Sequence, residues 1–160
     1  MGADVRVEPG PDVAGESAGD VLARRGAMLH ATEVGPDEVP SMVDEIPLVG
    51  LLGALAAGTT VVRGAGELRV KESDRIRTVV ELLRAVGADA EEREDGFVVR
   101  GQMSIAGGEV HSHGDHRLAM LGALAGMASQ SGVTVHGMDA AAVSYPGFVD
   151  DMRAIGAEAA

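Results

Sequence analysis

Leu51-Leu52-Gly53-Ala54-Leu55-Ala56 returns 69 positions on, from 51 to 120, as Met120-Leu121-Gly122-Ala123-Leu124-Ala125. Val86-Gly87-Ala88-Asp89-Ala90 returns at the same distance, from 86 to 155, as Ile155-Gly156-Ala157-Glu158-Ala159. Two separate matches at one offset mark an internal repeat. Between them Gly58-Thr59-Thr60-Val61-Val62 resembles Gly132-Val133-Thr134-Val135, displaced by a few residues as a loop insertion would do. A third Gly-Ala-Asp-Val opens the chain at Gly2. The sequence therefore reads as a recurring supersecondary unit, with copies over 44–100 and 115–160 and residues 1–43 as the tail of a preceding copy.

Each unit runs as an apolar helix, a short strand, a polar loop, an amphipathic helix and a strand after a glycine. Ile76, Val79, Val80, Leu83 and Val86 recur at helical spacing while Arg77, Glu81 and Arg84 take the other face. Ser73 is the expected N-cap, Asp74 suits the positive helix end, and Gly87 stops the helix. Asp4–Glu8 and Gly96–Gly101 alternate and predict strands with one wet face. The stretches Leu48–Ala57 and Leu118–Ala128 are apolar nearly all round, as helices surrounded by protein are. Pro9–Gly19, rich in Pro, Gly and Asp, predicts an exposed excursion. The fold class is α/β (α+β), with buried helices inside and half-exposed sheets outside.

Composition narrows the partners. The 160 residues are 46% apolar, enough for a core, but Phe97, Phe148 and Tyr145 are the only aromatics, so small side chains must pack tightly. A net charge of −12 without a basic stripe argues against nucleic acid. With no cysteine there is no disulfide or thiolate chemistry, which fits a cytoplasmic location. Met1–Arg6 carries charge at once, so no signal peptide is expected. Ile46–Val62 lacks charge, yet Pro47, Gly50, Gly53 and Gly58 interrupt it; a buried helix followed by a strand fits it better than a membrane span.

Three clusters could carry chemistry. Asp44 and Glu45 stand ahead of the first apolar helix, where capping is the plain structural reading. Lys71, Glu72 and Arg75 sit at a loop-to-helix junction, within a run holding four basic residues from Arg69 to Arg77. There they could converge on one anion beside a helix N-terminus, or form a solvated cluster with Glu72 paired to Arg75 at i,i+3. His111-Ser112-His113-Gly114-Asp115-His116-Arg117 invites a zinc reading, but this loop has no ligand-bearing helix partner; Arg117 makes better sense as a second anion contact.

Arg69-Val70-Lys71-Glu72-Ser73-Asp74-Arg75 resembles the first signature of the EPSP synthases, the 3-phosphoshikimate 1-carboxyvinyltransferases. Asp115-His116-Arg117-Leu118-Ala119-Met120 resembles their second. Asp44-Glu45-Ile46-Pro47, Gly58-Thr59-Thr60 and Ser144-Tyr145-Pro146-Gly147-Phe148 match in order, so the resemblance covers essentially the whole chain. It implies a partial domain of the family's inside-out α/β barrel, namely the C-terminal portion of its C-terminal domain.

The implied reaction joins phosphoenolpyruvate to the 5-hydroxyl of shikimate 3-phosphate, releasing phosphate through a tetrahedral intermediate, in aromatic amino-acid biosynthesis. No metal or organic cofactor is implied. By motif, Asp44 resembles the base that orients the hydroxyl, Glu72 the proton-transfer acid, Lys71 a contact to shikimate 3-phosphate, and Arg75 and Arg117 the clamp on phosphoenolpyruvate; His116 is a supporting residue. Val143 stands where some members have Lys, and Glu67 where some have Asn, so the anion site is less cationic. The N-terminal domain that closes the cleft is absent from this stretch, which implies an inactive fragment and exposed edges prone to self-association. Two other readings are a non-catalytic folding module and a piece of a UDP-N-acetylglucosamine 1-carboxyvinyltransferase; the Lys71–Arg75 run argues against the latter.

Overall fold

The clearest helical stretch of the sequence forms α3 (Arg75–Ala85) in the computed structural model, which describes residues 1–24, 26 and 28–158. Ile76, Val79, Val80 and Leu83 are fully buried while Arg77 and Arg84 face water, as their spacing requires. The cap lies one residue later than expected. Asp74, not Ser73, accepts the Arg77 N–H at 3.1 Å, and the Ser73 hydroxyl instead donates to Asp115 at 2.9 Å. A carboxylate at the cap gains from the helix dipole as well as from the hydrogen bond.

The repeated Gly-Ala is a helix terminator. Gly87, at φ +88°, donates its N–H to the Arg84 carbonyl at 3.0 Å, and Ala88 donates to Leu83 at 2.9 Å. Gly156, at φ +100°, repeats this after α5 (Phe148–Ala154): its N–H reaches Arg153 at 3.0 Å, and that of Ala157 reaches Met152 at 3.0 Å. Both close in the left-handed conformation that glycine adopts without steric cost. The strand expected after Gly156 falls largely on residues 159–160, outside the described ones.

The first full unit contains β3 (Glu33–Val34), α1 (Val39–Met42), α2 (Ile46–Ala54), β4 (Ala57–Val62), a 3-10 turn (Gly66–Val70), α3, β5 (Asp89–Arg93) and β6 (Gly96–Gln102). Its sheet runs β3-β4-β6-β5, with β3 parallel to β4 and the other pairs antiparallel. The second contains β7 (Gly108–His111), α4 (His116–Ala128), β8 (Val133–His136), a 3-10 turn (Met138–Val143) and α5, with β7 parallel to β8. Each unit thus also takes in a strand ahead of its first helix. Before them, β1 (Asp4–Pro9) and β2 (Gly19–Arg24) form an antiparallel hairpin, and the Pro- and Gly-rich stretch is its exposed connection.

Three expectations need correction. The displacement inside the repeat is no loop insertion: α4 has 13 residues against 9 in α2, one extra turn, and α5 has 7 against 11 in α3, which restores the offset. The strand β1 is wet on both faces, with Val5 at 52% and Val7 at 68% exposure, because no helix among the described residues packs beneath it. Finally, α2 is not surrounded along its whole girth, since Leu48 and Leu52 reach the surface.

α4 likewise buries Leu118, Ala119, Leu121 and Ala125 but leaves Met127 at the surface, so both apolar helices are inside along one side only. Ile46, Leu51, Ile76, Leu83, Phe97, Leu118 and Leu121 make one core between helices and sheet. Glycines set the helix-to-sheet distance: a Cβ on Gly53 would lie 2.9 Å from Thr60, and one on Gly122 would lie 3.0 Å from Val135. Among the described residues no helix is long and apolar enough to cross a membrane.

Candidate active site

Helices α2, α3 and α4 bring their N-termini to one place, and Arg75, the first residue of α3, lies at the centre. Its side chain is 1% exposed, and a guanidinium at that depth requires charged partners. Nε donates to Asp115 Oδ2 at 2.8 Å, and Nη2 donates to Asp115 Oδ1 at 3.2 Å and to Glu72 Oε2 at 2.6 Å. Nη1 donates to Asp44 Oδ1 at 3.0 Å. Three carboxylates from three segments therefore enclose one arginine.

Asp115 is fully buried and caps α4. It accepts the Arg117 backbone N–H at 2.9 Å and the Ser73 hydroxyl at 2.9 Å in addition to Arg75. Burial pushes its carboxyl up, but the hydrogen bonds from Arg75, Ser73 and the Arg117 backbone, with the charge of Arg75, outweigh this and hold it below the ordinary carboxylate range. Burial likewise works against the charge on Arg75, and its carboxylate partners, Asp115 foremost, more than reverse that.

Toward solvent the network opens. Arg117, its side chain 29% exposed, places Nη2 at 2.8 Å from Asp44 Oδ2 and donates from Nη1 to the Asp44 carbonyl at 3.2 Å. The Asp44 side chain is 40% exposed and that of Glu72 52%. Beside them Asp44, Pro47, Leu48, Arg117, Met120 and Leu124 line a small recess of about 130 Å³. The arrangement can take an anion: an arriving carboxylate or phosphate can replace Asp44 and Glu72 on the guanidinium groups in bidentate geometry, freeing two carboxylates for proton transfer.

Asp44, Glu72, Arg75 and Arg117, singled out in the sequence, are thus joined in one network. Lys71 stands at its edge, with Nζ 3.2 Å from Glu67 Oε1, so Glu67 draws that cation away. His116 opens α4, half-buried and outside the hydrogen-bonded set. The capping reading fails for Asp44, whose carboxylate is spent on arginines; Glu45 holds the cap position of α2 without a side-chain hydrogen bond. The i,i+3 pair of Glu72 and Arg75 forms, but its arginine end is buried rather than solvated. Arg69 instead staples the β5–β6 hairpin to α3 through Glu92, Asp74 and the carbonyls of Arg93 and Glu94, and Arg77 pairs with Glu81 on the surface. Val143 is exposed and brings no charge.

Sequence reading places Asp115 in the histidine-rich loop and in the second signature but gives it no role at the anion site. Its place before a helical run signals a cap, but its contact with Arg75, 40 residues away, leaves no trace in local spacing.

A family model described as "EPSP synthase (3-phosphoshikimate 1-carboxyvinyltransferase)" matches residues 1–152. Proteins of Desulfitobacterium hafniense named 3-phosphoshikimate 1-carboxyvinyltransferase are 46% identical over 150 residues, covering 94% of this chain and 34% of theirs. One from Synechococcus sp. with the same name is 44% identical over 153 residues, covering 96% of this chain and 34% of its own. The solved EPSP synthase from Acinetobacter baumannii superposes with a TM-score of 0.90 at 38% identity, covering 96% of this chain and 36% of that one. The chain spans about a third of the length of the curated relatives it matches.

Proposed function

The chain belongs to the EPSP synthase family, and from that premise we propose that it supplies the phosphoenolpyruvate side of a 3-phosphoshikimate 1-carboxyvinyltransferase active site. Residues 1–160 then form the C-terminal portion of the enzyme's C-terminal domain, working in the cytoplasm with an N-terminal domain that closes over both substrates. The observation that carries the reading is the convergence of Arg75 and Arg117 on the carboxylates of Asp44 and Glu72 at three helix N-termini.

In this reading the carboxylate and phosphate of phosphoenolpyruvate take over the guanidinium contacts now made by Asp44 and Glu72. That exchange releases Asp44 to accept the proton of the shikimate 3-phosphate 5-hydroxyl as its oxygen bonds to C2 of phosphoenolpyruvate. Glu72 protonates the methylene carbon, giving the tetrahedral intermediate. Loss of phosphate from C2, with a proton returning from the new methyl group, restores the double bond. Lys71 contacts shikimate 3-phosphate, and His116 supports the clamp from the start of α4. Asp115 keeps Arg75 in place and touches neither substrate.

The isolated chain has its site open to water and lacks the opposing half, so electrostatic stabilisation there is weak. A steady-state assay with both substrates tests this: no phosphate release is expected from the 160 residues alone, and measurable turnover would overturn it.

A further inference from the structure

Asp115 accepts hydrogen bonds from Arg75 Nε, Arg75 Nη2 and the Arg117 backbone N–H, all groups of the two arginines of the site. One further donor belongs to neither arginine. The Ser73 hydroxyl reaches Asp115 Oδ2 at 2.9 Å, tying the loop that leads into α3 to the residue that caps α4.

The hydroxyl protons fix the direction of this bond. Ser73 Oγ lies 3.2 Å from Thr78 Oγ1, and Thr78 Oγ1 lies 2.9 Å from the Asp74 carbonyl oxygen, so two protons must serve three contacts. If Thr78 donates to the carbonyl, the Ser73 proton is left for Asp115; if Thr78 donates to Ser73, the Ser73 proton still points at Asp115. The remaining arrangement, with Ser73 donating to Thr78, sets a hydroxyl lone pair 2.9 Å from an ionised carboxylate sealed at 0% exposure. That contact is repulsive and leaves a buried acceptor unmet.

Asp115 occupies one edge of the Arg75 guanidinium, Nε and Nη2. Nη1 and the second N–H of Nη2 then face Asp44 and Glu72, and this outer edge is where an anion can replace those carboxylates. Its aim depends on how the Asp115 carboxylate is turned. On the reading of this site as the phosphoenolpyruvate clamp, we propose that Ser73 is a positioning residue of the reaction: its hydroxyl orients Asp115, which in turn aims the outer edge of Arg75 at phosphoenolpyruvate. Ser73 itself touches no substrate. Its side chain is half-buried rather than sealed, so threonine should keep the function, while valine, of the same shape without the hydroxyl, should lose it.

Two measurements test this, each on Ser73→Ala, Ser73→Val and Ser73→Thr with folding checked by circular dichroism. The first grafts the 160 residues in place of the matching third of the Desulfitobacterium hafniense relative and follows phosphate release. The alanine and valine variants should raise KM for phosphoenolpyruvate roughly tenfold or more, with kcat and KM for shikimate 3-phosphate near the parent's, because a misaimed clamp loses ground-state and transition-state binding alike. Ser73→Thr should match the parent. The second follows the carboxyl carbon of Asp115 by NMR in the 160-residue chain as pH is lowered. Its signal should titrate at higher pH in the alanine and valine variants than in the parent or Ser73→Thr, since a donor to the charged form has gone. The charged groups around it, Arg75 and Arg117 with Asp44 and Glu72 beyond them, are the same in every variant.

An unchanged KM for phosphoenolpyruvate in Ser73→Ala, a valine variant that behaves as threonine does, or an Asp115 signal that titrates alike in all the chains would each overturn the inference and leave the reading of the site standing. A folded parent chimera without phosphate release would overturn that reading, and the inference with it, even where the titration shifts.

Discussion

Removing Asp115 would strip Arg75 of its only fully buried partner and α4 of its cap at the same time. Leaving one half of a buried ion pair uncompensated costs about 3–5 kcal/mol, so Asp115→Ala should lower the chemical-denaturation free energy by that order. Asp44→Ala should cost within about 1 kcal/mol, because its carboxylate is partly in water and Arg75 keeps two other partners. Equal losses for the two variants would contradict the division between a holding residue and an exchangeable one. The depressed Asp115 carboxyl also sets a pH dependence. As pH falls, the unfolded chain protonates this group before the folded one does, so its contribution is whole above the ordinary value of 3.8 and is lost on acidification through the lower folded value. Denaturation midpoints between pH 5 and pH 2 should fall more steeply for the parent than for Asp115→Asn. At this scale the sequence exposed Asp44, Glu72, Arg75 and Arg117 through their motifs. It hid Asp115, because a cap and a buried counter-ion look alike until the fold joins α3 to α4.

Among the elements, the helices were legible where side chains alternate in kind and less so where they do not. α3 announces itself by its apolar face and its terminal glycine. The extra turn of α4 lies in a run so uniformly apolar that no period marks its end, and the displacement looked like a loop. β1 alternates as a half-buried strand should, but burial needs a covering helix, and none among the described residues packs against it. Backbone approach at the strands gives a sharp test. A Cβ on Gly101 would lie 1.9 Å from the Ala56 carbonyl oxygen, so Gly101→Ala must push β6 off β4 and should destabilise by about 1–3 kcal/mol or more. Gly66→Ala meets nothing within 4 Å and serves as the control expected to unfold near the parent temperature. Phe97→Ala, which empties the contact between hairpin and α2, should cost about 3–5 kcal/mol in the same measurement.

For the whole molecule, exposed apolar surface adjoins the candidate site. Leu48 of α2 is exposed in the wall of the recess that contains Asp44 and Arg117, where a further packed layer would shield both core and site. The repeat in the sequence made the architecture readable and led to an expectation of exposed edges, while which side chains lie bare could be found only once the units were placed. The proposed chemistry is tested most directly by grafting these 160 residues in place of the matching third of the Desulfitobacterium hafniense relative and measuring phosphate release from phosphoenolpyruvate and shikimate 3-phosphate. The chimera should turn over, and Glu72→Gln or Asp44→Asn within it should lower kcat by roughly 10²–10⁴-fold, as loss of a general acid or base does. A folded chimera without phosphate release, or one that keeps its full rate with either carboxylate removed, would contradict the account.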